Sequence, residues 1–80
     1  MKTNDLKKGA RIRLRNGWYG TIADNKKGDI RMAEVEGTFT EIGSVYAYDI
    51  VAALVAGDWV VVEHTKKQLK LQATLQALGI

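Results

Sequence analysis

Apolar and polar side chains alternate strictly near the start of the chain, and this alternation predicts a β-strand. Over residues 10–15, three apolar side chains share one face of the strand and three arginines share the other. The pair Asn16-Gly17 follows, and it predicts a type I′ two-residue turn, because both central residues of that turn need a positive φ. Residues 18–24 form the returning strand. The pattern therefore predicts a β-hairpin whose cationic face carries Arg11, Arg13 and Arg15.

Short alternating segments, separated by glycines, continue through the middle of the chain. The further predicted strands span residues 30–36, 38–42, 44–48, 50–55 and 59–63. The segments 38–42 and 44–48 form either a strand pair or one strand kinked at Gly43. Ala56-Gly57-Asp58 predicts a three-residue connection between the last two strands.

The hydrophobic period becomes helical in the last segment, which predicts a helix over about residues 66–78. Thr65 and Gln68 have the spacing of a capping box, which satisfies free N–H groups at a helix start. Three leucines form one apolar stripe along this helix: Leu71, Leu75 and Leu78.

Leu69, Ala73 and Ile80 lie on nearly the opposite side of the predicted helix. Either the helix packs deeply, or its second apolar side contacts another chain. We expect a homodimer with Leu69 and Ile80 in its interface, because each fully buried aliphatic side chain contributes about 1.5–3 kcal/mol and two-fold dimers are the commonest closed assemblies. The alternative is a frayed helix end that leaves Ile80 in solvent.

Five to six short antiparallel strands followed by one helix define a mainly β fold. Their hairpin connections favour a small SH3-like barrel over about residues 8–64, within a single domain that spans residues 1–80. An OB-fold is the alternative, although its helix normally lies between strands. The predicted core comprises Ile12, Leu14, Ile22, Val35, Val45, Ile50, Val60 and Leu75, with Trp18 and Trp59 also assigned to it.

The composition limits the chemistry that this protein performs. The chain of 80 residues contains no cysteine, so disulfides, thiolate metal sites and cysteine nucleophiles are excluded. A single histidine and a single serine do not supply a nucleophilic triad. Glu34 and Glu36 share one strand face, a geometry that favours a solvated surface over an acid–base pair. We expect a protein that is not an enzyme and that binds no metal or cofactor.

The chain carries no segment that predicts membrane insertion or export. No apolar run approaches the roughly 20 residues that a transmembrane helix needs. The first eight residues are polar, and no apolar signal-peptide core follows them. We therefore expect a cytoplasmic protein that does not contact a membrane.

Charge is distributed along the chain in blocks. Residues 1–31 contain nine Lys or Arg and three acids, whereas residues 32–64 contain six acids and neither Lys nor Arg. Residues 65–80 add three lysines and no acid. These blocks either neutralise one another within the fold or give the surface a basic side and an acidic side, as in a nucleic-acid-binding or protein-docking domain.

Two resemblances follow from particular residues. Gly9, Ile12, Gly17, Gly20 and Ile22 resemble the KOW-type hairpin that opens SH3-like barrels in ribosomal and transcription-associated proteins. This resemblance covers about residues 7–24 and implies a basic face presented to RNA or protein. Segments 24–28, 31–37 and 41–46 are similar to small phage- or prophage-borne proteins of unassigned function, which implies a macromolecular partner from the phage or its host.

The arginine row is the strongest candidate site. Alternate arginines on a strand stand about 6.5–7 Å apart, near the spacing of successive backbone phosphates. The leading hypothesis is a nucleic-acid interface, DNA or RNA, comprising Arg11, Arg13, Arg15, Lys26, Lys27, Arg31 and Tyr19. Alternatively, the arginines pair with Glu34, Glu36 or Glu41 and form a solubilising face. The second functional hypothesis is a phage-encoded protein-interaction module that modulates a host protein.

Overall fold

The alternating segments fold into one antiparallel sheet, and the last segment folds into a helix. The computed structural model describes residues 1–79 and contains six strands within them. The strands are β1 (Arg11–Leu14), β2 (Tyr19–Ile22), β3 (Ile30–Glu36), β4 (Thr40–Tyr46), β5 (Ile50–Val55) and β6 (Asp58–Val61). The helix α1 spans Lys66–Ala77, and single 3-10 turns cover Thr3–Asp5 and Ala47–Asp49. A mainly β fold with a C-terminal helix is confirmed, with one strand rather than two in residues 38–48.

The strand order places β1 near the middle of the sheet. The order is β4-β3-β2-β1-β5-β6, so the first four strands form a meander and β5 returns to pair with β1. The register of the β1–β5 pair shifts between Arg13 and Leu14. Within residues 1–79, the edge strands β4 and β6 do not pair with each other, so the sheet is open and a barrel is not confirmed.

The turn between β1 and β2 differs from the predicted type I′ turn. The Gly17 N–H donates to the Leu14 carbonyl at 2.9 Å, and the Leu14 N–H donates to the Trp18 carbonyl at 2.7 Å. Three residues therefore connect the strands, and Gly17 supplies the positive φ, +90°. The Asn16 side chain accepts a hydrogen bond from the Trp18 N–H at 3.0 Å. This is a three-residue loop with glycine at its left-handed position.

The turn between β5 and β6 is one residue shorter than predicted, whereas the turn between β1 and β2 is one residue longer. Val55 pairs with Asp58, so Ala56 and Gly57 alone form the turn. Both have a positive φ, +50° for Ala56 and +87° for Gly57, as a type I′ turn requires. The predicted three-residue connection is wrong, because Asp58 already belongs to β6.

The core lies on one face of the sheet, which we call the inner face. The buried cluster comprises Leu6, Ile12, Leu14, Ile22, Ala33, Ile50, Ala53 and Val62. Ile12, Leu14, Ile22 and Ile50 were predicted as core residues. The predicted Val35 and Val45 are partly buried and pack against the cluster. Val60 and Leu75 are only half-buried, so their assignment to the central core is wrong.

The N-terminal segment, residues 1–8, contributes to this core although no element was predicted there. Leu6 is buried, and Met1 packs against the cluster. The Glu63 N–H donates to the Met1 carbonyl at 2.7 Å, so the chain's first residues lie beside the residues that follow β6. The segment thereby links the end of β6 to the core.

The helix begins as predicted and packs with one narrow side. The Gln68 N–H donates to Thr65 Oγ1 at 3.1 Å, and the Thr65 N–H donates to Gln68 Oε1 at 3.0 Å, which confirms the capping box. Leu71 and Leu75 are half-buried. Leu78 is 68% exposed, so only Leu71 and Leu75 of the predicted stripe are partly covered, and the element that the helix chiefly contacts is the 3-10 turn Ala47–Asp49.

Candidate functional site

The arginine row lies on β1, on the face of the sheet opposite the core, which we call the outer face. Arg11 is opposite Thr21 of β2, and Arg13 is opposite Tyr19. On the other side of β1, Arg13 is opposite Ala52 of β5. Directly paired residues share a face, so Arg11 and Arg13 stand on the outer face as predicted.

Arg11 is held by contacts within the protein. Its guanidinium forms a two-pronged ion pair with the Glu36 carboxylate across the intervening strand β2, and its Cζ lies 5.4 Å from the centre of the Tyr19 ring. The side-chain hydrogen bond between the two groups raises the pKa of Arg11 and lowers the pKa of Glu36. Glu36 is one of the three internal partners that the sequence offered as an alternative to a ligand.

Arg15 is also engaged. Its Nη2 donates to the Tyr48 carbonyl at 2.6 Å, and its Nε lies 3.5 Å from the Asp49 carboxylate. Arg15 lies in the loop after β1 rather than on the strand, so it joins that loop to the 3-10 turn before β5. Its contacts are structural, although almost half of its side chain remains accessible.

Arg13 differs from its two neighbours. It is exposed, and among residues 1–79 its guanidinium has neither an ion pair nor a hydrogen bond to another side chain or carbonyl. Arg13 is therefore the member of the row that is available to an incoming anion without breaking an existing contact.

Arg31 was assigned to the basic surface, and the structure corrects this assignment. Its side chain is 0% exposed. Nε donates to Asp24 Oδ1 at 2.8 Å, Nη1 donates to the Thr3 carbonyl at 2.9 Å, and Nη2 donates to the Leu6 carbonyl at 2.8 Å. A guanidinium saturated in this way cannot reach a ligand, so Arg31 anchors the N-terminal segment to β3.

The partner of Arg31 is held in its charged form. Burial alone would raise the pKa of the Asp24 carboxyl, but hydrogen bonds from the Met32 N–H and from Arg31 outweigh burial and lower that pKa. The alternation of buried and exposed side chains along β3 indicates that Arg31 is buried. Arg31, Ala33 and Val35 have the same parity, so the pattern that places the two apolar residues inside also places Arg31 inside.

Lysines from three separate parts of the chain meet at one end of the molecule. The Lys8 N–H donates to Asn25 Oδ1 at 2.8 Å, and the Gly28 N–H donates to Asn4 Oδ1 at 3.0 Å. These bonds hold the β2–β3 loop against the N-terminal segment. Lys67 of α1 lies 3.7 Å from Asp29 in the same loop. We call the resulting group of exposed side chains the lysine end: Lys7, Lys8, Lys26, Lys27 and Lys67.

Three acids near the lysine end make internal contacts, whereas exposed Glu34 of β3 lines a pocket together with Lys8. Asp5 accepts a hydrogen bond from the Lys2 N–H at 2.9 Å. Asp24 pairs with buried Arg31, and Asp29 pairs with Lys67. The lysine end holds five exposed lysines, one of which is paired with Asp29, so this end keeps an excess of positive charge.

Two aromatic rings stand together on the outer face. The ring centres of Tyr19 and Trp59 are 5.7 Å apart, and their planes are tilted by 42°. Tyr19 is 40% exposed and Trp59 is 44% exposed. We call this pair the aromatic platform. The assignment of Trp59 to the core is therefore wrong.

Trp18 is similarly exposed but lies elsewhere. It packs over Gly37, where an added Cβ would overlap its six-membered ring. Gly37 follows β3, at the end of the sheet opposite the β2–β3 loop. Trp18 thus belongs neither to the core cluster nor to the aromatic platform.

Within the described residues, we next consider the histidine, metal-binding side chains and membrane-spanning helices. His64 lies between β6 and α1, where its Nε2–H donates to the Ile50 carbonyl at 2.8 Å. Residues 1–79 contain no cluster of three His, Asp or Glu side chains that could hold a metal ion. None of the helical residues in that range forms a helix long and apolar enough to cross a membrane.

The predicted oligomer contacts fall on α1 and beyond it. Leu69 is 48% exposed, whereas Ile80 lies outside the described residues.

Comparisons with protein families, with curated proteins and with solved structures find no match to this chain.

Proposed function

We propose that this protein is a non-enzymatic nucleic-acid-binding module that holds the phosphate backbone at the lysine end. The observation that carries the proposal is the convergence of three basic segments at one end, where Asp5, Asp24 and Asp29 are occupied internally. Mobile lysine side chains bind phosphates as point charges and release counterions. Exposed Arg13 extends the contact along β1, and Arg11 adds to it at the cost of its pairing with Glu36.

The strand order supports an SH3-like interpretation of the fold. A four-stranded meander, a 3-10 turn at Ala47–Asp49 and a fifth strand that returns to β1 are the order expected of a small SH3-like barrel. The β1–β2 hairpin is the part that resembles the KOW type. In this proposal the basic surface begins at that hairpin and continues into the lysine end.

Binding through phosphates has a characteristic dependence on salt. If four lysines each contact one phosphate, the affinity falls by about 50- to 150-fold between 50 and 200 mM salt, the smaller value applying to single strands. Fluorescence anisotropy with labelled DNA and RNA, at several salt concentrations, measures this slope. Absence of binding at low salt would overturn the proposal.

Two double variants with equal changes in net charge locate the site. Lys26→Ser/Lys27→Ser removes two cations from the lysine end and should lower the salt slope by about two. Thr38→Asp/Phe39→Asp adds two charges of the opposite sign in the β3–β4 turn, at the other end of β3. We expect the second variant to bind almost as the wild type does. Equal losses in both variants would show a general effect of net charge and no site.

A second candidate function is a protein-interaction module, phage-encoded and acting on a host protein. The observation that favours it is the apolar margin of the outer face, where Val61 is 73% exposed beside Leu54. Trp, Tyr and Arg are also the residues enriched in protein-binding hot spots. A pull-down from nuclease-treated bacterial lysate, with wild type and Val61→Asp, separates the two functions. A partner that survives nuclease and is lost with Val61→Asp would favour protein interaction.

A further inference from the structure

We infer that the aromatic platform stacks the bases of a single-stranded nucleic acid, so that the module prefers single strands to duplexes. This inference rests on the proposed function and specifies its ligand. It assigns Tyr19 and Trp59 to the base contacts and Arg11 and Arg13 to the phosphate contacts that lead to them.

The register of the sheet assembles these side chains on one face. Trp59 of β6 is opposite Leu54 of β5, and Arg13 of β1 is opposite Tyr19 of β2. Ile12 and Ala53 pair with each other in the core, so their neighbours Arg11 and Leu54 face outward. The rings of Trp59 and Tyr19 then meet above β5 and β1, at 5.7 Å between centres.

The platform is continuous with the lysine end. Lys8 precedes β1, and its N–H is bonded to Asn25 beside Lys26 and Lys27. A strand of nucleic acid that leaves Lys8 along the outer face of β1 meets Arg11 first, with the ring of Tyr19 beside it, and then Arg13. Arg11 and Arg13 are about 7 Å apart along the strand, which suits successive phosphates of an extended single strand.

Acidic side chains restrict this path to one half of the sheet. Glu34 and Glu36 of β3 are opposite Thr21 and Tyr19 of β2, so they stand on the outer face beyond β2. Their charges repel phosphates from β3 and β4, and the Glu36 carboxylate, which reaches across β2 to Arg11, is displaced when a phosphate binds Arg11. The path that remains runs over β1, β5 and β6, where the aromatic platform lies.

The chemistry of the platform favours an unpaired strand. A base inside a duplex is stacked on both faces by its neighbours, whereas a base of a single strand is free to stack on an aromatic side chain. Tyr19 and Trp59 are tilted relative to each other, so a base stacks on the outer surface of an exposed ring and not between the two.

The two tryptophans provide the test, because Trp59 belongs to the platform and Trp18 does not. In Trp18→Phe, the only tryptophan is Trp59; in Trp59→Phe, it is Trp18. An oligothymidylate of about ten nucleotides, within the usual site size, is titrated at low salt into each variant. We expect quenching of tryptophan fluorescence in Trp18→Phe and little change in Trp59→Phe.

Affinities measured by anisotropy complete the test. Trp59→Leu should weaken binding of the oligothymidylate roughly tenfold, the typical contribution of one stacked base, and leave binding of a duplex almost unchanged. Its fold is checked by circular dichroism and urea unfolding, and Trp18→Leu is the matched control. If wild type binds nucleic acid but Trp59 is not quenched, and Trp59→Leu binds both ligands normally, the platform is not a base site while the proposed function stands. If no nucleic acid binds, both proposals fail, and a protein is left as the ligand of this face.

Discussion

Arg31 shows how the environment of a single residue decides between a surface role and a structural one. The residue lies in a basic block, yet its side chain is 0% exposed and donates to Asp24 and to two backbone carbonyls. Thr3 and Leu6, which supply those carbonyls, are themselves buried. The guanidinium therefore satisfies polar groups that an apolar core would leave unpaired, and it fixes the segment that carries Lys7 and Lys8.

We predict that Arg31→Met destabilises the protein by about 3–5 kcal/mol, because the substitution leaves Asp24 charged and unpaired beside the core. Urea unfolding measures this loss. Arg13→Met is the matched control, and a change within about 0.5 kcal/mol is expected for it, since exposed Arg13 supports no other group. Equal stability of the two variants would contradict the structural role of Arg31.

At the scale of elements, each of the two tight hairpins has a turn length that differs from the one its sequence predicts. Asn16-Gly17 is the preferred pair for a type I′ turn, yet the chain uses Arg15 as well and forms a three-residue loop. Ala56-Gly57 forms the type I′ turn, with Ala56 at φ +50°. The last paired residues of the flanking strands determine the length of each turn. Leu14 pairs with Trp18, which leaves three residues between them, and Val55 pairs with Asp58, which leaves two.

Ala56 is therefore a position where a substitution should stabilise the protein. A left-handed conformation costs an ordinary residue about 1–2 kcal/mol, whereas asparagine tolerates it. We predict that Ala56→Asn raises the free energy of unfolding by about 1 kcal/mol. Ala56→Val should lower it, because a β-branched side chain is disfavoured at positive φ. Thermal unfolding of both variants checks the pair, and an Asn variant no more stable than the wild type would refute the strain at this turn.

At the scale of the whole molecule, the fold brings together lysines that are far apart in the sequence. Lys8 and Lys26 come from different loops, and Lys67 comes from the helix, but Asn4, Asn25 and Asp29 hold the three segments together. The lysine end is thus a product of tertiary contacts. The proposed phosphate site depends on the N-terminal segment that Arg31 anchors.

Exposed leucines on α1 are the basis of the predicted homodimer. Leu69 is half-exposed and Leu78 is more so, and the homodimer through α1 stays a prediction. We expect the mass measured by light scattering to rise above the monomer value with concentration, and Leu69→Gln to reduce that rise. A monomer mass that persists into the high micromolar range would end this proposal.

Local patterns predicted much of the fold and less of the site. Alternation is a property of neighbouring residues, so it located the strands and placed Arg11 and Arg13 on one face. The ion pair of Arg11 with Glu36 crosses β2, and the platform joins Tyr19 to Trp59 across β1 and β5. Such contacts depend on strand order, which alternation does not specify. The N-terminal segment was missed because Leu6 is an isolated apolar residue without a period.

The return of β5 to β1 has a consequence for the order of folding. The contacts of the β1–β4 meander and of the β5–β6 hairpin are close in sequence, whereas Ile12 must meet Ala53 from a distant part of the chain. Closing that long loop loses chain entropy before the contact is gained. We expect the two local units to form early and their joining at β1 to limit the rate. The N-terminal segment, whose anchors Arg31 and Glu63 lie on β3 and after β6, then docks last, so the lysine end is completed only when folding is complete.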